Sequence, residues 1–561
     1  MWVRGFVSLT VFCCVLLAAC APADQTSSVT PVSPAAFAMP DRYGADVAEL
    51  VLRAGGNAVD AAIATAFSLA VTYPEAGNIG GGGFMLIYVD GQSYFLDYRE
   101  VAPAAASRDM YLDENGDVVP GLSRVGHRAT GVPGTVAGMW AAHQRFGSMA
   151  WAELLAPAID LAENGFVADK MLAARTKRKR KTYAGKTNFD RYFGKLEAGA
   201  VFSQPELAET LRRIAANGRA GFYQGETAVY IVDEMQRGGG LISMDDLIEY
   251  RPVWREPLKA SWRDYQLLSA PPPSSGGFAI IQLLKMKDYL AGEFDGLAHN
   301  SAQYVHLIAE MEKRVFADRA EYFGDPDFVD VPIGKLIADD YIEARAAEVD
   351  RDAISSIDSV PPGLESPHTT HFSIADKDGN AVSNTYTLNS IFGSGVIVEG
   401  AGFVLNNEMD DFSAKPGAPN IYGVVGKTAN KIQPGKRMLS SMSPAILLQD
   451  GEISMVLGTP GGSTIFTTVF QAIVNILDFG MTPEEAAGAS RFHHQLLPPD
   501  LVTYSRSRPL SDQTIKGLIE KGYRTRPHRW DYGDLQIVWR DGDSYRVASD
   551  PRKRGEARVL H

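Results

Sequence analysis

Apolar and polar residues alternate along two runs, 369–376 and 381–389, on either side of Lys377-Asp378-Gly379-Asn380. Alternation with period two turns one side of each run toward a core, and Asp-Gly between two such runs is hairpin turn chemistry. Upstream the period lengthens. Val47, Leu50 and Val51 recur at helical spacing, and Gly55-Gly56 stops a helix predicted over 45–54. A second helix, predicted over 58–71, is so rich in alanine that it suits close packing between layers. Asn78-Ile79-Gly80-Gly81-Gly82-Gly83 then leads into a strand over 84–89. Phosphate loops follow a strand and open a helix, so this order favours close backbone packing instead.

Asp90-Gly91 turns the chain into a further strand-like run, 93–100, which carries Arg99 near its end. Such an arginine is ordinarily a structural ion pair; its two-pronged guanidinium also suits a carboxylate. Gly131-Val132-Pro133-Gly134-Thr135 is a turn before a helix, and 151–221 reads as helical with breaks. Pro271 to Gly277 ends a strand and starts a helix near Ile280, and 302–322 is predicted as a helix with charges on its outer positions. Residues 351–367 are polar and contain proline, as in an exposed segment open to cutting.

Beyond the hairpin, 415–430 is a Pro- and Gly-rich loop with Tyr422 near its middle, long enough to cover a site. Strands predicted over 445–448 and 453–457 end in Gly458-Thr459-Pro460-Gly461-Gly462-Ser463, which opens a helix over 464–477. A strand-to-helix turn of this kind is often only a glycine turn; it also presents free backbone N–H groups to an anion. No internal repeat interrupts the pattern, and its mixture of strands and helices reads as α/β.

Composition changes the picture in few places. Hydrophobic residues at 45% and charged ones at 22% are ordinary for a globular protein. A net charge of −13 argues against nucleic acid as a partner. The basic run from Arg175 to Lys181 then reads as a solvated helix face rather than a targeting signal. At the start, Arg4 and the apolar stretch 6–17 form an export signal over residues 1–19, too short for a membrane span. Leu17-Ala18-Ala19-Cys20 resembles a bacterial lipobox, with Cys20 as the lipidated residue; an ordinary signal peptide cut nearby is the other reading. The chain's 3 cysteines, Cys13, Cys14 and Cys20, all lie in this leader, so the body has no thiol for a disulfide or a metal site. Residues 20–35 read as a tether, and Ala21 favours sorting to the outer membrane of a Gram-negative cell.

Several motifs, in one order, resemble the γ-glutamyltranspeptidase family. They are Gly55-Gly56-Asn57-Ala58-Val59-Asp60-Ala61-Ala62, Asp97-Tyr98-Arg99-Glu100, Pro272-Pro273-Ser274-Ser275-Gly276-Gly277, Thr369-Thr370-His371-Phe372-Ser373, Asn406-Asn407-Glu408-Met409-Asp410-Asp411-Phe412, Ser440-Ser441-Met442-Ser443-Pro444 and Pro460-Gly461-Gly462. The likeness runs from about Asp41 to the C-terminus. The family's Pro-His-Pro-like start is replaced here by Pro40-Asp41-Arg42-Tyr43-Gly44.

The resemblance implies an N-terminal-nucleophile hydrolase fold, a four-layer αββα sandwich. It implies self-cleavage between His368 and Thr369 into a large subunit, 36–368, and a small one, 369–561, which together form one unit. Thr369 would be the nucleophile; its freed α-amine, with an ordinary pKa of ~7.7–8.0, suits proton transfer near neutrality. Thr387 would hydrogen-bond Thr369, and Gly461 and Gly462 would hold the oxyanion, each such donor supplying about 3 kcal/mol. Arg99, Ser440 and Ser441 would take the donor's α-carboxylate; Asn389, Glu408 and Asp411 its α-ammonium. Tyr422 would sit in the cover. Expected partners are γ-glutamyl compounds such as glutathione and acceptor amino acids or dipeptides, with a membrane reached through the lipid anchor and no cofactor or metal. A glutaryl (cephalosporin) acylase on the same scaffold and an uncleaved glutamyl-binding lipoprotein are the rival readings.

Overall fold

The computed structural model of the protein describes residues 1–2, 34–356, 369–415, 428–496, 498–528 and 531–561. Cys20, His368 and Tyr422 lie outside the described residues, as do the leader, the cleavage-side stretch 357–368 and most of the loop 415–430. Residues 33–561 form one unit of mixed helix and sheet.

Two antiparallel sheets organise it. The strands are β1 (Ala35–Met39), β2 (Gly82–Val89), β3 (Gln92–Tyr98), β4 (Val253–Arg255), β5 (Leu258–Trp262) and β6 (Tyr265–Ser269). They continue as β7 (Thr369–Ala375), β8 (Ala381–Thr387), β9 (Ala445–Gln449), β10 (Glu452–Gly458), β11 (Gln536–Asp541), β12 (Ser544–Ser549) and β13 (Glu556–Leu560). The seven-stranded sheet runs β13-β1-β7-β8-β2-β3-β4, and the six-stranded one runs β12-β11-β10-β9-β6-β5. The predicted hairpin, β7-β8, is the centre of the larger sheet, flanked by β1 and β2 from the first part of the chain.

Alternation along the strands divides the apolar residues between faces. Phe84, Leu86 and Phe95 meet Leu268, Ile446 and Val456 of the other sheet in one core. Met85, Ile87 and Phe372, on the opposite face, pack with residues of α1 (Arg42–Arg53) and α2 (Ala58–Thr72). Leu447, Met455 and Leu457 of the smaller sheet pack with further helices. These include α4 (Gly276–Tyr289), α5 (Ala302–Tyr322) and α6 (Thr464–Leu477). The helix α3 (Lys170–Tyr183) carries the basic run.

Three expectations change. The first helix begins at Arg42 rather than 45, because Asp41 is its N-cap and accepts from the Gly44 N–H at 2.7 Å. The cap, not the apolar pattern, sets the start. The charges of α5 are not an outer face: Glu310, Glu312, Lys313, Arg314, Asp318 and Arg319 are all buried. The basic run is only partly solvated. Lys177 and Lys181 are exposed, but Arg175 turns inward to Glu75 at 2.8 Å. The glycine run behaves as expected; a Cβ at Gly81 would lie 2.1 Å from the Thr387 carbonyl, and one at Gly83 2.5 Å from that of Thr385. No helix among the described residues is long and apolar enough to cross a membrane.

Candidate active site

Strand register brings the chemistry together. Thr369 opens β7 directly opposite Thr387, the last residue of β8, and Thr387 faces Gly82 of β2. Gly83 in turn faces Tyr98 at the end of β3, and Arg99 follows Tyr98. Four neighbouring strand ends therefore carry Thr369, Thr387, Gly82 and Arg99 side by side. At about 4.8 Å per strand, Thr369 and Arg99 are roughly 14 Å apart at the backbone.

Arg99 is only 1% exposed and sits in an acidic cluster. Its Nη2 meets Asp411 at 2.6 Å, and its Nη1 meets Glu408 at 2.8 Å and Glu100 at 3.6 Å. Its Nε donates to the Met438 carbonyl and its Nη2 to that of Leu439, each at 3.3 Å, which ties it to the chain entering Ser440 and Ser441. Burial opposes the charge on Arg99, but Glu408, Glu100 and Asp411 outweigh it and hold the guanidinium above its ordinary range. Burial pushes Glu100 up to about 8 and Glu408 well above the usual carboxylate range, against the pull of Arg99. Asp411 is also raised by burial, with Arg99 opposing. Neither carboxylate oxygen of Glu100 has a hydrogen-bond partner among the described residues. One guanidinium thus stands among three buried carboxyl groups, and burial holds Glu100 and Glu408 toward the protonated form.

The loop before this cluster is held in place by asparagines. Asn406 takes the Gly131 and Glu408 N–H groups at 2.9 and 3.0 Å and donates to the carbonyls of Gly80 and Gly131. Asn389, with φ +70°, donates to the Asn407 carbonyl at 2.9 Å, and its own N–H goes to Thr387 Oγ1 at 2.7 Å. Glu408–Asp411 is a single 3-10 turn that aims both acids at Arg99.

On its other side Thr369, 9% exposed, lines a pocket of about 280 Å³ together with Pro460, the residue before Gly461-Gly462. Gly462 turns β10 into α6 with φ +58°, and a Cβ at Gly461 would fall 2.6 Å from Thr464 Oγ1. The pocket also holds Glu75, Arg175, Arg178, Asp534 and Lys553. Asp534 is pushed up to about 7 by burial and by Asp550, with Lys553 opposing. Burial, then Arg175, lowers Lys553. Among the described residues no group of three or more His, Cys, Asp or Glu side chains is placed to hold a metal ion.

Residues 44–560 match the family described as Gamma-glutamyltranspeptidase. The chain belongs to that family. The glutathione hydrolase proenzyme of Pseudomonas aeruginosa is 56% identical over 543 residues, covering 97% of this chain and 97% of its own length. Gamma-glutamyltranspeptidase from Pseudomonas nitroreducens, solved in complex with L-DON, is 56% identical with a TM-score of 0.57, over 57% of this chain and 96% of that one. Cephalosporin acylase from Bacillus halodurans is 26% identical with a TM-score of 0.82, over 97% of this chain and 99% of that one.

Within this gamma-glutamyltranspeptidase chain, sequence reasoning gave no role to Glu100 or Arg319. Glu100 stood inside a quoted motif. Arg319 had one signal: it follows Ile308, Met311 and Val315 at helical spacing, on the buried stripe of α5.

Proposed function

We propose that the protein is a γ-glutamyltransferase and glutathione hydrolase that cuts itself between His368 and Thr369 and then uses Thr369 as its nucleophile. The observation that carries this is the position of Thr369. It begins the central strand, opposite Thr387, shares a pocket with Pro460 and lies along the strand ends from the Arg99 cluster.

In this reading the freed α-amine of Thr369 takes the hydroxyl proton as Oγ1 attacks the γ-carbonyl carbon. Thr387 holds the hydroxyl in place. The N–H groups of Gly461 and Gly462 take the oxyanion of the tetrahedral intermediate. The C–N bond breaks, the leaving amine carries the proton away, and a γ-glutamyl ester on Thr369 remains. Water or an amino acid or dipeptide then attacks that ester and restores the hydroxyl. Arg99, Ser440 and Ser441 receive the donor's α-carboxylate. Its α-ammonium donates to Glu408, Asp411 and the Asn389 side-chain oxygen, and its charge draws the two acids toward their ionised forms. The loop around Tyr422 covers the donor, and the scheme uses no metal or organic cofactor. The pocket beyond Thr369, with Arg175, Arg178 and Lys553 set among Glu75 and Asp534, has the mixed charge a zwitterionic peptide would meet.

The same reading divides the chain into subunits 36–368 and 369–561 within one αββα sandwich, a layering supported by the core between the sheets and the helices on their outer faces. It also makes residues 1–19 a leader and Cys20 a lipid anchor at the outer membrane, on the sequence of that stretch alone. A glutaryl acylase is the second reading, favoured by the likeness to cephalosporin acylase.

Intact mass of the purified protein tests the cleavage. The small fragment is expected to begin at Thr369, and Thr369→Ala to stay a single chain without turnover. A split at the same bond in that variant would overturn self-cleavage, and an uncut wild type would favour a binding protein. Parallel assays on γ-glutamyl-p-nitroanilide and glutaryl-7-aminocephalosporanic acid decide the substrate, with the first expected to be preferred.

A further inference from the structure

Arg319 lies in the last turn of α5 and is 5% exposed. Its guanidinium ends among the residues given above to the donor's α-carboxylate. Nε donates to Ser275 Oγ at 2.9 Å, and Nη2 donates to Ser441 Oγ at 3.1 Å. Ser275 then gives both its hydroxyl, at 3.0 Å, and its N–H, at 2.9 Å, to the carbonyl of Ser440. One cation thus reaches Ser441 directly and the backbone of Ser440 through one serine.

The direction of these bonds decides what the two hydroxyls do. A guanidinium donates and never accepts, while a hydroxyl has one O–H and two lone pairs. Toward Arg319, Ser441 Oγ is therefore an acceptor, and its single O–H turns elsewhere. Ser440 is constrained in the same sense by a different donor, since the Met442 N–H gives to Ser440 Oγ at 3.1 Å. Each serine is left with an O–H to offer, and a carboxylate takes only donors. Burial raises Asp411 and Arg99 opposes it most; Arg319 adds a weaker pull in the same direction as Arg99.

We propose that Arg319 is a positioning residue that sets Ser441, and through Ser275 the backbone of Ser440, as hydroxyl donors, making the donor pocket specific for an α-carboxylate. The proposal deepens the γ-glutamyl reading and rests on it. Arginine is suited to the role because its rigid fork reaches two oxygens at once, which a lysine ammonium on a flexible stem does not.

Steady-state kinetics with L-γ-glutamyl-p-nitroanilide and with its α-carboxamide analogue test it, in wild type, R319Q, S441A and the double variant. Wild type is expected to prefer the carboxylate donor. R319Q is expected to raise KM for that donor about tenfold, with a smaller change in kcat, the scale of a lost charge-assisted bond. The carboxamide donor should change less than about threefold, so the preference collapses. In the S441A background R319Q should add only the smaller part carried through Ser275 and Ser440, since coupled residues are not additive. R319K should fall between wild type and R319Q, and it replaces R319Q in the cycle should the latter not fold. Equal losses on both donors, additive effects, or full wild-type preference in R319K would overturn the role of Arg319 alone. A wild type indifferent to the α-carboxylate would overturn the γ-glutamyl clamp and this proposal with it.

Discussion

Glu100 stands beside Arg99 with no hydrogen-bond partner among the described residues, and burial raises it from its ordinary 4.5 to about 8. The folded protein therefore keeps a proton that the unfolded chain gives up between those values. Unfolding releases that proton, so the stability this group contributes is present below about pH 4.5 and is lost as pH rises toward 8. Glu100→Gln removes the titration. Its melting temperature is expected to gain on wild type as pH rises through that window and to run parallel above it. Thermal melts across pH check this, and curves parallel throughout would show that Glu100 does not titrate there. The same residue marks how far single positions were legible. Thr369, Arg99, Glu408, Asp411, Ser440 and Ser441 could be picked out because whole motifs carried them, and the structure joins Arg99, Glu408 and Asp411 in ion pairs. Glu100 and Arg319 could not. A charge that is paired or protonated in a core has the same letter as one in water, and only its neighbours tell them apart.

The helix α5 repeats that lesson along one element. Its ends were legible from apolar spacing, as were the hairpin β7-β8 and the alanine-rich α2, because local period and turn chemistry set them. Its charges were expected outside and are inside. Glu310 pairs with Lys313 at 2.9 Å and Arg314 at 3.2 Å. Lys313 donates to the Ser355 carbonyl at 2.8 Å, Arg314 to Ser355 Oγ at 3.1 Å, and the Ser355 N–H returns to Glu310 at 3.2 Å. This cluster fastens the chain that leads toward the proposed cut. Removing Glu310 takes their common acid from two buried cations that keep contacts to Asp500 at 3.3 Å and Glu348 at 3.5 Å, a loss of about 1.5–3 kcal/mol. Glu310→Ala is expected to lose stability on that scale, with faster hydrogen exchange in the peptide covering 348–356. Unchanged exchange there would mean the cluster does not hold the segment.

At the scale of the molecule, strand order was the least legible feature, because it depends on pairings between distant parts of the chain. Ala36 faces Ala375, Thr387 faces Gly82, and Ala445 faces Ser269. No local period encodes such partners. These pairings have a consequence for a chain cut before Thr369. In the larger sheet, β7 and β8 from 369–561 lie between β1 and β2 from 36–368, and β13 closes onto β1. In the smaller sheet, β9 pairs with β6 across the same division. Neither fragment has a complete sheet, so each would expose unpaired strand edges on both sides of its cores. The cut protein is therefore expected to elute as one species in size-exclusion chromatography and to separate only in denaturant, through a single transition. Fragments 36–368 and 369–561 expressed apart are expected to be insoluble, and co-expression to recover a folded pair. Separation of the two fragments in native buffer would contradict the strand order itself.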